Sequence, residues 1–236
     1  MVNSGNDYYK KLDPDFRLRE RYLAEDRRLE SRYRRKAAEI CKHITPHLDL
    51  ERATILDLGC GRGTYGRLLV GEKGRVVGVD LNLIELDIAG NASDSRFSYL
   101  AGNGCFLPFK ASLFDLILCR HTLEHLSDPE RFLREARRVL KPDGAVYLST
   151  PNRFSFLLPN GKDGRKWLRK KFLGTDEGVY QMYTLRELRA LVMATGFRSP
   201  LPLPIPGFPE SLRGCFFQVV RPTLKVLLKP DPSKGG

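Results

Sequence analysis

Residues 55–66, with the sequence ILDLGCGRGTYG, join an apolar run to a glycine-rich turn and then to the start of a helix. Glycines in such a turn let the backbone approach a bound ligand closely, because a side chain would collide with it. The backbone N–H groups at the start of the helix then face the ligand. Gly61, Gly63 and Gly66 also fit the spacing of a dinucleotide-binding loop, which alone is weak evidence.

Two acidic residues in or after apolar runs help to distinguish a dinucleotide ligand from a cationic nucleoside ligand. Asp57 stands two positions before Gly59, where its carboxylate would repel a pyrophosphate and attract an ammonium or a sulfonium. Asp80 ends the run Val76–Val79, where its carboxylate can accept hydrogen bonds from both hydroxyls of a ribose. The two acids therefore favour a cationic nucleoside ligand over NAD.

The residues best suited to proton transfer follow the apolar run Phe114–Cys119. His121 is the best candidate for a general base, because an imidazole titrates near neutral pH; a structural or lining role is the alternative. His125 is a weaker candidate, and the alternative is that it fixes the loop through a hydrogen bond. Glu124 and His125 are too few ligands for a metal, so we predict no metal site.

These residues need a scaffold, and the sequence between positions 53 and 199 alternates buried strands with helices. The predicted strands are Thr54–Leu58, Val76–Val79, Phe97–Leu100, Phe114–Cys119 and Ala145–Ser149. The predicted helices are Tyr65–Val70, Leu83–Ala89, Pro129–Leu140 and Thr184–Thr195. This alternation predicts an α/β fold, a doubly wound Rossmann-like and mostly parallel seven-stranded sheet that binds ligands at the carboxyl ends of its strands.

Residues 1–50 form the predicted N-terminal helical extension. Its helix covers residues 13–42, with one apolar face that packs on the core, or alternatively it acts as a basic lid or partner helix. The predicted sheet domain covers residues 51–222, and residues 152–183 within it form a basic insertion that caps the substrate.

The end of the chain gives weaker signals. The prolines between residues 200 and 209 allow an edge strand at most, whereas Cys215–Val220 could form a central strand. Residues 223–236 are predicted to form a basic, flexible tail.

The charge is distributed unevenly along the 236 residues, whose net charge is +12. Residues 53–150 hold twelve basic and twelve acidic residues, whereas residues 151–174 hold seven basic residues and one acidic residue. The pattern indicates an anionic substrate or surface that meets the flanking segments, and it argues against a wholly basic nucleic-acid binder. Five widely spaced cysteines without a CxxC pair predict a reduced, cytoplasmic protein. No apolar run is long enough for a membrane helix, and the start lacks a secretory signal.

Taken in order, several segments resemble the class I S-adenosylmethionine-dependent methyltransferases, and more narrowly the small-molecule and lipid (methyltransferase type 11-like) group. The segments are ILDLGCGRG, VVGVD, GNGCFLPF, FDLILCRHTLEHLSDPERFLREARRVLKPDGAVYLSTPN and YTLRELRALVMATGF, within residues 50–198. The resemblance implies an enzyme whose cofactor is S-adenosylmethionine.

The resemblance also implies roles for individual residues. Asp57 would lie near the amino group of the cofactor, Asp80 would bind its ribose, and Asn103 would face its adenine, where the family usually has Asp. The implied cofactor-binding residues are Asp57, Gly59, Cys60, Gly61, Gly63, Asp80, Leu81, Asn103, Gly104 and Arg120. His125, Tyr180 and Tyr183 are candidates for the acceptor pocket, with core packing as the alternative for the tyrosines.

The preferred acceptor is a small molecule or a lipid-like compound methylated on oxygen. Lys162–Lys171, Leu212–Phe217 and Leu224–Lys229 are both basic and apolar, so they could contact an anionic membrane surface. Without interleaved stacking aromatics, the basic stretch argues against nucleic acid, and the sequence carries no signal for oligomerisation. The alternatives are a catalytically silent S-adenosylmethionine-binding protein, a methyltransferase acting on RNA and a nucleotide-linked oxidoreductase.

Overall fold

In the computed structural model, the described residues are 16–90, 94–154, 181–202 and 223–234. The helices within them are α1 (Phe16–Ile44), α2 (Thr64–Leu69), α3 (Leu83–Gly90), α4 (Pro129–Val139) and α5 (Leu185–Ala194). The strands are β1 (Thr54–Leu58), β2 (Arg75–Asp80), β3 (Phe97–Ala101), β4 (Phe114–Arg120), β5 (Leu140–Pro151), β6 (Leu201–Pro202) and β7 (Thr223–Leu228).

The strands form one mixed sheet in the order β3-β2-β1-β4-β5-β7-β6. Strands β1 to β5 pair in parallel, while β7 pairs antiparallel with β5 and with the two-residue β6. The predicted doubly wound α/β fold is therefore confirmed, since each predicted strand from β1 to β5 and each predicted helix is present. The carboxyl ends of β1, β2 and β4 meet at one edge of this sheet, where such folds bind ligands.

Alternation of side chains along the strands divides the core between the two faces of the sheet. On one face, Ile55 and Leu116 pack against Ala37, Ile40 and Ile44 of α1. The opposite face packs against α4 and α5 through a second apolar cluster. Its fully buried members include Leu58, Cys119, Leu133, Leu148 and Leu188. The N-terminal helix is thus part of the core, as its apolar face predicts.

Residues 223–236 are not a flexible tail along their whole length, because β7 lies inside the sheet between β5 and β6. Leu224, Val226 and Leu228 are fully buried, whereas Lys225 points to the other face. Apolar residues at every second position are typical of a strand. In the sequence, Lys225 and Lys229 made this segment look like a basic tail instead. Leu224–Lys229 therefore cannot lie on a membrane surface, because most of this segment is interior to the fold.

Several predicted features lie outside the described residues. They are the first residues of the N-terminal helix, most of the basic insertion, Tyr180, and the strand predicted at Cys215–Val220. The two ends of the insertion are held together, since Asn152 and Tyr183 form a parallel bridge and Arg153 N donates to Tyr183 O at 2.9 Å. Among the described helices, none has the length and apolar character needed to cross a membrane.

Candidate active site

A cavity of about 220 Å³ opens at the carboxyl ends of β1, β2 and β4. Its wall combines the glycine-rich turn after β1, the end of β2, the turn after β3 and the turn after β4. The residues that line it are Leu58, Gly59, Gly61, Val79, Asp80, Leu81, Glu85, Gly102, Asn103, Gly104, His121, Thr122, His125, Leu126 and Phe132. Most of the residues that the sequence predicts to bind the ligand therefore meet in one place.

The turn after β1 needs glycine both for its backbone conformation and for its contacts. Gly59, Gly61 and Gly63 have φ angles of 71°, 51° and 66°, which side chains disfavour. A Cβ atom on Gly59 would overlap the Thr122 side chain, and one on Gly61 would stand 2.5 Å from Glu85 Oε2. The turn is thus packed against two other parts of the wall, which explains its glycines before any ligand is considered.

Asp80 at the end of β2 holds the turn in place. Its Oδ2 accepts a hydrogen bond from Gly61 N at 2.7 Å, and its Oδ1 accepts one from Asn82 N at 2.9 Å. Asn82 in turn accepts from Ile84 N and Glu85 N, which fixes the start of α3. A carboxylate held by two backbone amides stays in one orientation and keeps further lone pairs for a ligand's hydroxyls.

Asp57 lies beneath the turn rather than in the cavity wall, and its side chain is 4% exposed. Its Oδ2 accepts a hydrogen bond from Gly66 N at 3.3 Å. Burial raises the pKa of Asp57 to about 7, although the positive charge of Arg120 opposes that rise. The carboxyl group therefore gains or loses its charge near neutral pH and acts on the cavity through its field.

The turn after β3 supplies the opposite wall. Asn103 Oδ1 accepts a hydrogen bond from Cys105 N at 2.9 Å, which closes a local turn and leaves one lone pair of the amide oxygen for a ligand. Gly104 is required by packing, since a Cβ atom there would stand 2.6 Å from Phe132 Cε2. The substitution of Asp by Asn at position 103 thus keeps a hydrogen-bond acceptor in this wall.

The cysteines near the cavity are unsuited to nucleophilic chemistry. Burial raises the pKa of the Cys60 thiol above its usual range and that of Cys105 to about 11, so both stay protonated at neutral pH. Cys60 Sγ lies 3.5 Å from Gly61 O, and Cys105 Sγ lies 3.5 Å from Asp128 O. Both side chains therefore act as spacers within the turns.

The buried carboxyl group of Glu124 forms a hydrogen bond with His121, the candidate general base. His121 follows β4 with a left-handed φ of 53°, and its Nδ1 lies 3.2 Å from Glu124 Oε1. Glu124 is 2% exposed, and its Oε2 accepts a hydrogen bond from Thr150 Oγ1 at 3.0 Å. A carboxylate only accepts hydrogen bonds, so this contact places the proton of a neutral imidazole on Nδ1 and leaves Nε2 as the acceptor.

Sequence reasoning missed several residues that complete the wall. Thr122 Oγ1 donates to Leu58 O at 3.0 Å and so ties the turn after β4 to the end of β1. Glu85 of α3 faces Gly61, and Phe132 of α4 closes the wall beside Gly104. Thr122 and Glu85 carry one sequence signal, a position shortly after the end of a strand, whereas Phe132 lies one turn into α4.

Some predicted site residues do not reach the cavity. The Arg120 guanidinium lies 3.5 Å from the centre of the Tyr65 ring, on the other face of the sheet, because side chains alternate along β4. Tyr183 belongs to the core, and its hydroxyl donates to Gln181 Oε1 at 2.8 Å. Cys60 and Gly63 belong to the turn but do not line the cavity. Tyr180 lies outside the described residues.

In the part of the chain that the structure describes, no three histidine, cysteine or acidic side chains converge as a metal site would require. The described cavity combines a glycine-rich turn, an oriented carboxylate at Asp80 and an imidazole at His121.

Comparison with known proteins assigns the family. The family described as "Methyltransferase domain" matches residues 26–199, which is most of the chain. A ubiquinone biosynthesis O-methyltransferase of Coxiella burnetii is 32% identical over 115 residues, which cover 48% of this chain and 49% of that protein. A tRNA U34 carboxymethyltransferase of Campylobacter curvus is 31% identical over 111 residues, covering 45% and 37% respectively.

The chain spans about half the length of the first of these curated relatives and less of the second. Among solved structures, an S-adenosylmethionine-dependent methyltransferase of Thermotoga maritima superimposes with a TM-score of 0.62 at 22% identity. That superposition covers 92% of this chain and all of the other. Together with the domain match over residues 26–199, these findings show that the chain belongs to the class I S-adenosylmethionine-dependent methyltransferases.

Proposed function

We propose that this methyltransferase transfers the methyl group of S-adenosylmethionine to an oxygen atom of a small-molecule or lipid-like acceptor, with His121 as general base. The observation that carries the proposal is the pair of His121 and buried Glu124 at the wall of the cavity. A base at this place suits a hydroxyl acceptor, which must lose its proton as it attacks. The similarity to a ubiquinone biosynthesis O-methyltransferase supports the oxygen acceptor.

The residues present fit the cofactor. We propose that Asp80 accepts hydrogen bonds from both ribose hydroxyls and that Asn103 Oδ1 accepts one from the adenine amine. The turn at Gly59 and Gly61 lets the backbone lie close to the methionyl part, as its lack of Cβ atoms allows. Asp57 attracts the ammonium and sulfonium charges from below the turn.

When bound, S-adenosylmethionine supplies a methyl group on a positively charged sulfur that leaves as a neutral thioether. In our proposal, His121 Nε2 accepts the acceptor's hydroxyl proton, because Nδ1 is already committed to Glu124. Glu124 stabilises the imidazolium that forms, and Thr150 keeps the carboxylate oriented. The rigid turns of the wall contribute by aligning the reacting groups, which is worth more in such displacements than acid–base chemistry.

We expect the affinity for S-adenosylhomocysteine to fall about tenfold between pH 8 and pH 6, because Asp57 with a pKa of about 7 loses its charge over that range. Its protonated form no longer attracts the ligand's ammonium group. Calorimetric titrations across this range measure the effect. Asp57→Asn should bind more weakly and without this pH dependence, and methylthioadenosine, which lacks the ammonium group, should show none in wild type. An unchanged slope in Asp57→Asn would overturn the role of this carboxyl.

Glu124→Gln should lower kcat by about 10- to 100-fold while leaving the affinity for S-adenosylhomocysteine unchanged, because Gln no longer orients the imidazole by charge. The variant should also weaken the preference of the His121 proton for Nδ1, because an amide can either accept or donate at this contact. The ¹⁵N chemical shifts of the imidazole measure this tautomer by NMR without any acceptor.

The matched control for that variant is Glu130→Gln, which removes an exposed charge from α4. This control should change neither kcat nor the tautomer of His121. An unchanged tautomer and an unchanged kcat in Glu124→Gln would show that the contact does not position the base.

The acceptor is to be sought by transfer of labelled methyl from S-adenosylmethionine to fractionated lipid extracts, phenolic compounds and tRNA. Label in a phenolic or lipid fraction supports the proposal. Label in tRNA would instead favour the second candidate, an RNA acceptor, which the similarity to a tRNA carboxymethyltransferase supports. Binding of the cofactor without any transfer would favour a catalytically silent protein.

Contact with an anionic membrane surface remains a proposal on sequence grounds alone. It depends on the basic and apolar segments Lys162–Lys171 and Leu212–Phe217, which lie outside the described residues. Co-sedimentation with vesicles of phosphatidylserine, against vesicles of phosphatidylcholine, tests it, and equal binding to both would contradict it.

A further inference from the structure

Glu124, the partner of the candidate base, is held from two directions. Its carboxylate accepts a hydrogen bond from Thr150 Oγ1 near the end of β5. Its backbone oxygen accepts a second hydrogen bond from Gln181 N at 3.1 Å. Gln181 lies in a segment far along the chain from Glu124, so this second contact depends on whatever fixes residues 181–183 in place.

Arg153, just after the end of β5, fixes that segment. Its backbone N donates to Tyr183 O at 2.9 Å. Its Nε and one terminal nitrogen both donate to Met182 O, at 3.2 Å and 2.8 Å. The other terminal nitrogen forms an ion pair with Glu187 Oε1 at 2.5 Å. A guanidinium can make these contacts together because it is planar and its N–H groups point in fixed directions.

Glu187 gives the guanidinium a rigid anchor at the start of α5. Its Oε2 accepts hydrogen bonds from Thr184 N at 2.8 Å and from Thr184 Oγ1 at 2.9 Å, within a capping box. Burial raises the pKa of Glu187, but the hydrogen bonds from Thr184 and the charge of Arg153 outweigh it and hold the pKa below its usual range. The carboxylate is therefore charged at neutral pH and attracts Arg153.

Tyr183 connects this anchor to the acid beside the base. The residue is buried, and its hydroxyl donates to Gln181 Oε1 at 2.8 Å. Burial raises the pKa of Tyr183, and so do the nearby charges of Glu124 and Glu187, which places the phenol close to both acids. Close-packed interiors transmit small displacements, so a shift of this segment reaches Glu124.

We propose that Arg153 is a positioning residue for the methyl transfer, because it fixes the segment that holds the main chain of Glu124. Through Glu124 it orients the imidazole of His121. This inference rests on the proposed function, in which His121 is the base. Since such a reaction depends on alignment, a small displacement of the base costs rate and leaves cofactor binding intact.

The test is Arg153→Gln in the whole chain. It should lower kcat about tenfold on the acceptor that the labelling screen identifies, with the affinity for S-adenosylhomocysteine unchanged. It should also lower the fraction of neutral His121 imidazole that carries its proton on Nδ1, because the contact with Glu124 loosens. The ¹⁵N chemical shifts of the imidazole measure that fraction without any acceptor.

The matched control is Arg134→Gln, which removes the same charge from an exposed ion pair on α4. It should change neither kcat, nor the affinity for S-adenosylhomocysteine, nor the tautomer of His121. Exposed ion pairs contribute little to a fold, so this variant reports the effect of charge removal alone.

Two milder variants keep the test decisive if Arg153→Gln folds poorly. Glu187→Gln keeps an oxygen that can accept from Thr184 N, so the start of α5 stays capped while the charge that holds the guanidinium is lost. It should lower kcat about threefold and shift the tautomer in the same direction. Arg153→Lys keeps the charge without the planar fork, so it should fall between wild type and Arg153→Gln.

The inference is overturned if Arg153→Gln lowers the melting temperature but keeps the wild-type kcat and tautomer, because Arg153 then serves the fold alone. It is also overturned if Arg134→Gln has the same effects as Arg153→Gln. His121→Gln separates this inference from the proposed function. A wild-type rate in His121→Gln overturns both, whereas loss of rate in His121→Gln with a wild-type rate and tautomer in Arg153→Gln overturns only the role of Arg153.

Discussion

Asp80→Ala is expected to weaken binding of S-adenosylhomocysteine about 100-fold, or about 2.7 kcal/mol. The carboxylate is held by Gly61 N and Asn82 N, so the variant loses an oriented acceptor for two ribose hydroxyls together with the anchor of the glycine turn. Charge-assisted hydrogen bonds of this kind are about twice as strong as neutral ones. Calorimetric titration of wild type and variant measures the loss directly.

Two further variants separate the ribose contact from damage to the fold. Asp80→Asn keeps the size and one acceptor oxygen, so we expect a loss of about tenfold, intermediate between wild type and alanine. Asp87→Ala removes an acidic residue from the exposed side of α3 and should bind as wild type does. Equal affinity of Asp80→Ala and wild type would refute the assignment of the ribose to this residue.

His121→Gln is expected to reduce kcat by about 100- to 1000-fold, the range for loss of a positioned general base. The reduction should appear on the acceptor that the labelling screen identifies, with the affinity for S-adenosylhomocysteine little changed.

His47→Gln is the matched control for this change, since His47 is exposed in the turn that follows α1. Its rate should equal that of wild type. A His121→Gln variant that kept the wild-type rate would show that the acceptor needs no base here, as for an acceptor that is already ionised.

The glycine turn and the strand-end acids could be predicted because each depends on a local pattern. Apolar runs of β-branched and aliphatic residues marked β1, β2 and β4, and parallel strands bring their carboxyl ends together. The sequence positions of Asp80 and Asn103 were therefore enough to predict that both residues lie at the cavity. His121 was found in the same way, as the first imidazole after β4.

Contacts between distant elements could not be predicted in this way. Glu124 reaches His121 because a short turn of 3₁₀ helix, Leu123–His125, directs its carboxylate back between β4 and β5. Arg120 was assigned to the cavity, yet alternation along β4 turns it to the opposite face. For β7, lysine and threonine at alternate positions looked like the composition of a tail, whereas burial of Leu224 and Val226 by neighbouring strands decided its structure.

The most direct test of the account is calorimetric titration of the purified chain with S-adenosylhomocysteine and, separately, with NAD. The account predicts micromolar binding of S-adenosylhomocysteine, loss of most of that affinity in Asp80→Ala, and no binding of NAD, since Asp57 repels a pyrophosphate at the glycine turn. Binding of NAD with no binding of S-adenosylhomocysteine would contradict it. So would S-adenosylhomocysteine binding that is equally tight in Asp80→Ala, because the ligand would then lie elsewhere than in this cavity.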